Sequence, residues 1–296
     1  MTSVPSVREL EAICGGEGRG EGEPRDFRIA YAVLVRKVSI RITWLLLHTP
    51  LSANGVTLLG IGVGIAGALM LAWNDFWPLV VAMVLLQLSF VVDYSDGEVA
   101  RYRAHERATP TDAGGAFLDW TGHYYVPAVA IGALAFGVFQ ESGRDWLILA
   151  ALVAILSVVR VPYSARDHVL LGLFRDRPEL RDSPDFLRAV LARQGGDPTR
   201  LELEADYATR RAGVGGSSWL WRRWTNLGQV LVFPGFVNVL CVFVAVDLVA
   251  SGLAGDYPTV AETTGREVLI GLLGVVHLIH QVRAAAQSFQ ILRRLR

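Results

Sequence analysis

Asp93, Asp96, Asp119 and His123 are the residues whose types and spacing could do chemistry in this chain. They sit in the stretch DYSDGEVARYRAHERATPTDAGGAFLDWTGH, between two long apolar runs. On a helix, Asp93, Asp96 and Ala100 share one face with Gly97 beside them, and Gly115, Asp119 and His123 share one face of the next helix. Turned toward each other, the two faces make one pocket holding three carboxylates and an imidazole. Carboxylates crowded at a membrane boundary are costly unless a cation neutralises them, and an oxygen-rich cluster suits Mg²⁺ or Mn²⁺. The small residues Gly97, Ala100, Gly114 and Gly115 leave room beside such an ion for a bulky polar ligand, for which a diphosphate is the natural candidate.

The elements that must position these groups are membrane helices. Of 296 residues, 52% are hydrophobic and only 19% charged, with a mean hydropathy of +0.37, too apolar for an ordinary soluble domain. Formal net charge is zero, so bulk charge gives no case for nucleic-acid binding. Cys14 and Cys241 stand far apart without metal-ligand spacing and imply no disulfide framework.

In chain order, residues 1–25 are rich in Gly and Glu and predict a disordered tail. Residues 26–48 carry apolar positions at helical spacing with Arg28, Arg36, Lys37 and Arg41 interspersed, which predicts an amphipathic helix lying in the membrane interface. Pro50 ends it, Ser52 or Asn54 can cap the next helix, and the first span runs to Trp73. Gly62, Gly64 and Gly67 match the G-x-G-x-x-G dinucleotide fingerprint, but that fingerprint needs a strand and a turn before its helix. Glycines spaced by four in a membrane helix serve close packing instead. Further apolar runs begin near Phe76 and Ala116 and cover about 146–161, 227–250 and 268–282. The expectation is an all-α, polytopic six-span bundle over 49–290, with a basic tail at 291–296.

The turns at Asn74–Asp75, Glu141–Asp145 and Ser251–Arg266 are poor in cations, whereas the N-terminal helix, the Arg101–Arg107 link, the Arg160–Arg223 segment and the C-terminal tail are rich in them. The positive-inside rule then makes both termini and the acidic cluster cytoplasmic. A polar insert at about 171–221 holds two helical patterns broken by GGDP and GVGGSS, either an interfacial flap or a lid or docking element. His277 and His280, in the last span, fit packed or snorkelling side chains rather than ligands.

These residues resemble the CDP-alcohol phosphotransferase family, whose signature is D-x2-D-G-x2-A-R-x8-G-x3-D-x3-D. Asp93, Asp96, Gly97, Ala100 and Arg101 match its first half, and Gly115 and Asp119 the start of its second. The PLSANGVT stretch looks like the family's Pro-Asn-x-x-Thr entry to the first span. Two departures stand out: the gap between Arg101 and Gly115 exceeds the family's eight residues, which a loop absorbs at little cost, and His123 stands where the family has its last aspartate.

The resemblance implies a phospholipid-biosynthetic enzyme of a bacterial inner membrane. It would transfer a phosphoalcohol group from a CDP-alcohol, CDP-diacylglycerol foremost, to an acceptor hydroxyl with release of CMP. It implies two divalent ions held by Asp93, Asp96, Asp119 and His123, the second site weakened by the imidazole, which is a poor Mg²⁺ ligand. Asn54, Thr57, Gly97, Ala100, Arg101 and Gly115 would line the donor site, Arg160 and Arg166 would take a phosphate on the acceptor, and the protein would be a homodimer. His123 would replace the family's proton-accepting aspartate as base. The same substitution leaves open a shifted alignment, or a catalytically inactive member serving as a membrane scaffold or binding protein.

Overall fold

The computed structural model describes residues 5–15, 27–107, 113–159, 235–254 and 264–294. Every regular element among them is a helix: α1 Val7–Gly15, α2 Phe27–Leu47, α3 Ala53–Met70, α4 Phe76–Arg107, α5 Ala113–Ser142, α6 Asp145–Val158, α7 Gly235–Ala254 and α8 Gly265–Arg294. Five of these, α3, α4, α5, α7 and α8, are long and apolar enough to cross a membrane, as expected of an integral membrane protein. The sixth expected span is represented by α6, whose 14 residues rise only about 21 Å. That is short of a crossing among the described residues; residues 160–161, the end of the expected run, and the insert at 171–221 lie outside them.

The acids are placed by α4. Its 32 residues make a rod of about 48 Å, longer than a hydrocarbon core of about 30 Å. Asp93 comes about 26 Å along it from Phe76, which puts the carboxylates near the end of any crossing rather than at its middle.

Around α4, α3 packs through glycine. Ser52 caps α3, its Oγ accepting from the Gly55 amide at 3.0 Å. A Cβ on Gly64 would come within 2.5 Å of Ser89 Oγ, and one on Gly67 within 2.8 Å of Leu85 Cβ, so both glycines are needed for the close approach of α4. A Cβ on Gly62 would meet nothing within 4 Å. The stripe is therefore a packing device at two of its three positions. Leu86, Leu134, Leu147, Leu240 and Leu273 join α4, α5, α6, α7 and α8 in one apolar core. Against α6, α8 sits so close that a Cβ on Gly274 would lie 2.8 Å from Ala150 Cβ.

One expectation needs correction. The first 25 residues are not uniformly tail: Val7–Gly15 is helical, opened by a reciprocal cap in which Ser6 N donates to Glu9 Oε2 at 2.7 Å and Glu9 N to Ser6 Oγ at 3.4 Å. Leu10 is fully buried, and Trp44 Nε1 donates to Pro5 O at 3.1 Å, docking this helix on α2. The helix α2, Phe27–Leu47, lies within the predicted range, and Ser39 and Thr43 are completely buried on it beside Val35 and Ile40. At the other end α8 continues to Arg294, so it takes in residues 291–294 of the basic tail.

At the end of the bundle opposite the acids, a buried polar clasp closes the molecule. Arg266, with no exposed surface, donates from Nε to Asp247 Oδ2 at 2.9 Å and from Nη1 to Asn74 Oδ1 at 2.6 Å. Gly265 N donates to Asp247 Oδ1 at 2.7 Å. Asn74 in turn donates to the Gly137 carbonyl, and Arg144 pairs with the buried Glu267. The clasp ties the α3–α4 turn to α5, α6, α7 and α8.

Candidate functional site

Two helices bring the acids and the histidine together as their spacing predicts. From α5, His123 Nε2 lies 3.1 Å and 3.3 Å from the two carboxylate oxygens of Asp93 on α4, and 3.5 Å from Asp119 Oδ1 one turn back on its own helix. Ligand atoms of Asp93, Asp119 and His123 all lie within 4.8 Å of one another. Pro127, one turn after His123, lacks the N–H that would bond the His123 carbonyl.

Asp96 stands apart from this trio, although with Asp93 and Asp119 it lines one pocket. Its Oδ2 accepts from Thr57 Oγ1 of α3 at 2.6 Å, and both residues are buried. Thr57 was expected in the donor cradle; here its hydroxyl holds Asp96. Below the acids the pocket continues along Gly60, Ile61, Ser89, Gly122 and Val126. Sequence reasoning missed these five. The signal was the helical period: Ser89 precedes Asp93 by one turn, Gly122 follows Asp119 by three residues and Val126 follows His123 by three. Glycine at 122 is required by the approach of α3, because a Cβ there would lie 2.7 Å from Ile61 Cγ1.

The remaining predicted residues divide. Gly115 meets Asn54, whose Oδ1 would stand 2.9 Å from a Cβ at that position, so the starts of α3 and α5 touch; neither residue is among those lining the pocket. Arg101 is exposed and folds back along α4, its Nη1 3.1 Å from where a Gly97 Cβ would be. Ala100 lies on α4 one turn beyond Asp96. Arg160 and Arg166 fall outside the described residues. His277 is buried on α8, and no hydrogen bond to its Nε2 is found among the described residues; it is absent from the pocket lining, in keeping with a packed side chain.

Chemically, the trio offers two carboxylates and one imidazole to a common point, and Asp96 a third carboxylate from the next turn. That set fits a divalent cation which accepts oxygen and tolerates nitrogen, Mn²⁺ more readily than Mg²⁺. No known family model matches the chain, and no curated protein matches it.

Proposed function

We propose that this protein is an integral membrane phosphotransferase that moves a phosphoalcohol group, foremost a phosphatidyl group, from a CDP-alcohol to an acceptor hydroxyl with release of CMP. The observation that carries the reading is the clustering of Asp93, Asp119 and His123, whose ligand atoms lie within 4.8 Å of one another, beside a pocket that Asp93, Asp96 and Asp119 line. The match of Asp93, Asp96, Gly97, Ala100, Arg101, Gly115 and Asp119 to the family signature supports it. In this reading α6, with the chain that follows it, completes six spans. The α2 helix then lies in the interface, and both termini and the pocket face the cytoplasm of a bacterial inner membrane.

Asp93, Asp96 and Asp119 would hold Mg²⁺ or Mn²⁺, and the site beside His123 would be the weaker one, because the imidazole serves there as base rather than as ligand. A bound divalent ion supplies neutralisation of the diphosphate and of the charge growing on departing CMP. Everything else falls to the chain. Asn54 and the backbone at Gly97, Ala100 and Gly115 border the space for the donor, and Arg101 offers it a cation. The acceptor oxygen attacks the phosphorus carrying the alcohol, and a P–O bond forms as the anhydride bond to CMP breaks. With Nε2–H bonded to Asp93, the other ring nitrogen of His123 takes the proton released by the hydroxyl, and Asp93 and Asp119, in contact with Nε2, stabilise the imidazolium. Thr57 keeps Asp96 aimed by occupying one of its oxygens.

The test is CMP release by purified protein in liposomes, with CDP-diacylglycerol, a panel of polyol and polyol-phosphate acceptors, and either Mg²⁺ or Mn²⁺. Asp119→Asn abolishes release, and His123→Ala lowers it by roughly 10²–10⁴, the usual contribution of a positioned base. A wild type that is silent with every pair, beside a His123→Asp variant that releases CMP, would instead establish an inactive scaffold.

A further inference from the structure

We infer that Glu98 is a positioning residue: its buried carboxylate, gripped by Ser39 and Thr43 of α2, fixes the rotation of α4 that turns Asp93 and Asp96 toward α5. Glu98 takes no part in the proposed chemistry, yet only 5% of it is exposed. Ser39 Oγ donates to one carboxylate oxygen at 2.9 Å and Thr43 Oγ1 to the other at 2.6 Å. The grip is reciprocal, because Ser95 Oγ donates to the Ser39 carbonyl at 3.2 Å and Thr43 Oγ1 also approaches the Ser95 carbonyl at 3.4 Å. Ser39, Thr43 and Ser95 have no exposed surface at all.

The geometry of a helix gives this seam its consequence. At about 100° per residue, Asp96 lies about 160° and Asp93 about 140° around α4 from Glu98. So α2 holds α4 by one side while the carboxylates emerge on the other. A slip of one residue in the α2–α4 register would swing both acids by about 100°, away from His123. Apolar side chains could bury as much area, but they tolerate rotation and sliding. Two directional bonds to the two oxygens of one carboxylate do not. Replacing a buried polar cluster by apolar groups is often neutral or stabilising, so what this seam contributes is register rather than stability. Ser39 and Thr43, four residues apart on α2, are spaced to deliver both hydroxyls to the same side chain.

The metal-binding consequence rests on the function proposed above; the orientation of α4 does not, and the two are read separately. Glu98→Leu removes the acceptor while keeping the bulk, Glu98→Gln keeps a carbonyl acceptor, and Ser39→Ala/Thr43→Val removes the same bonds from the α2 side. The first readout is binding of Mn²⁺ alone, followed by electron paramagnetic resonance. The second is the rate at which a short bifunctional methanethiosulfonate joins Asp93→Cys to His123→Cys, in a background carrying Cys14→Ser and Cys241→Ser. Thermal unfolding is measured on every variant.

Glu98→Leu, which takes the acceptor from the buried Ser39 and Thr43 hydroxyls, is expected to unfold somewhat earlier than wild type, to bind Mn²⁺ on the order of tenfold or more weakly, and to crosslink slowly. Glu98→Gln stays close to wild type in both readouts. Crosslinking of Glu98→Leu at the wild-type rate overturns the inference. If that variant does not fold, the Ser39→Ala/Thr43→Val pair decides by the same rates. A wild type that binds no Mn²⁺ counts against the proposed metal chemistry alone, and the crosslinking rates still settle the role of Glu98.

Discussion

Thr57 and Asp96 are joined by a hydrogen bond of 2.6 Å in a site where both are buried, so removing the hydroxyl strands a carboxylate oxygen. Thr57→Val, close in shape, should cost about 1–3 kcal/mol of stability, the penalty of leaving a buried acceptor unmet. Thr57→Ser should recover most of it; equal loss in both variants, read by thermal unfolding in detergent, would trace the effect to packing. A second residue-scale outcome concerns Cys14, where burial pushes the thiol up to about 11, opposed by Arg101 and assisted by Glu98. Its thiolate at neutral pH is then scarcer than that of a free cysteine, with its pKa near 8.5, by roughly two to three orders of magnitude. Alkylation by iodoacetamide should be correspondingly slow in the folded protein. The raised value means the docked state prefers the protonated thiol, so docking of α1 weakens as pH climbs from about 8.5 toward about 11. The spacing of Asp93, Asp96, Asp119 and His123 was legible, because helical period alone puts each pair on one face. Thr57's hold on Asp96 was not: it is made between different helices, and periodicity within one helix says nothing about which neighbour's hydroxyl arrives.

Among the elements, α3 offers a clean contrast. A Cβ on Gly64 would press within 2.5 Å of Ser89 Oγ and 2.9 Å of Val126, whereas one on Gly62 meets nothing. Gly64→Val should therefore destabilise by about 1–3 kcal/mol or more through overpacking. Gly62→Ala should be neutral, or stabilising by up to about 1 kcal/mol from helix propensity. Equal effects at the two sites in thermal unfolding would refute the packing account of the stripe. The α1 helix gives the complementary case. Leu10→Asp, by breaking its buried contact, should raise Cys14 alkylation toward that of a free thiol without unfolding the bundle. Sequence composition concealed this helix, because the Gly- and Glu-rich residues that follow dominate the window. The local signal was there in Ser6 and Glu9, spaced as a capping box. For α2 the range was readable and the inner face was not. Ser39 and Thr43 look like polar interruptions until Glu98 is seen to need them.

Over the whole molecule, polar groups are concentrated at two ends separated by apolar helix: the acids at one, and at the other a clasp of Arg266, Asp247 and Asn74. Hydropathy made the apolar helices legible, five of them long enough to cross a membrane, with α6 too short among the described residues. It could not reveal the clasp, since Arg266 falls in a turn that looks merely cation-poor, and Asp247 sits inside an apolar run. Which two charges meet depends on helix order in space. Breaking a buried pair leaves one charge uncompensated, so Asp247→Leu and Arg266→Met should each cost roughly 3–5 kcal/mol. The pair Asp247→Leu/Arg266→Met leaves no orphan charge and should cost well under the sum of the single changes, a coupling that unfolding measurements on the cycle detect. Costs that simply add would mean that Asp247 and Arg266 act independently, and the clasp would be no more than two separate contacts. Since about 26 Å of α4 separates Phe76 from Asp93, variants of the clasp that remain folded should bind Mn²⁺ as wild type does. A parallel loss of Mn²⁺ binding in those variants would show that the two ends respond as one unit, with α4 transmitting the strain between them.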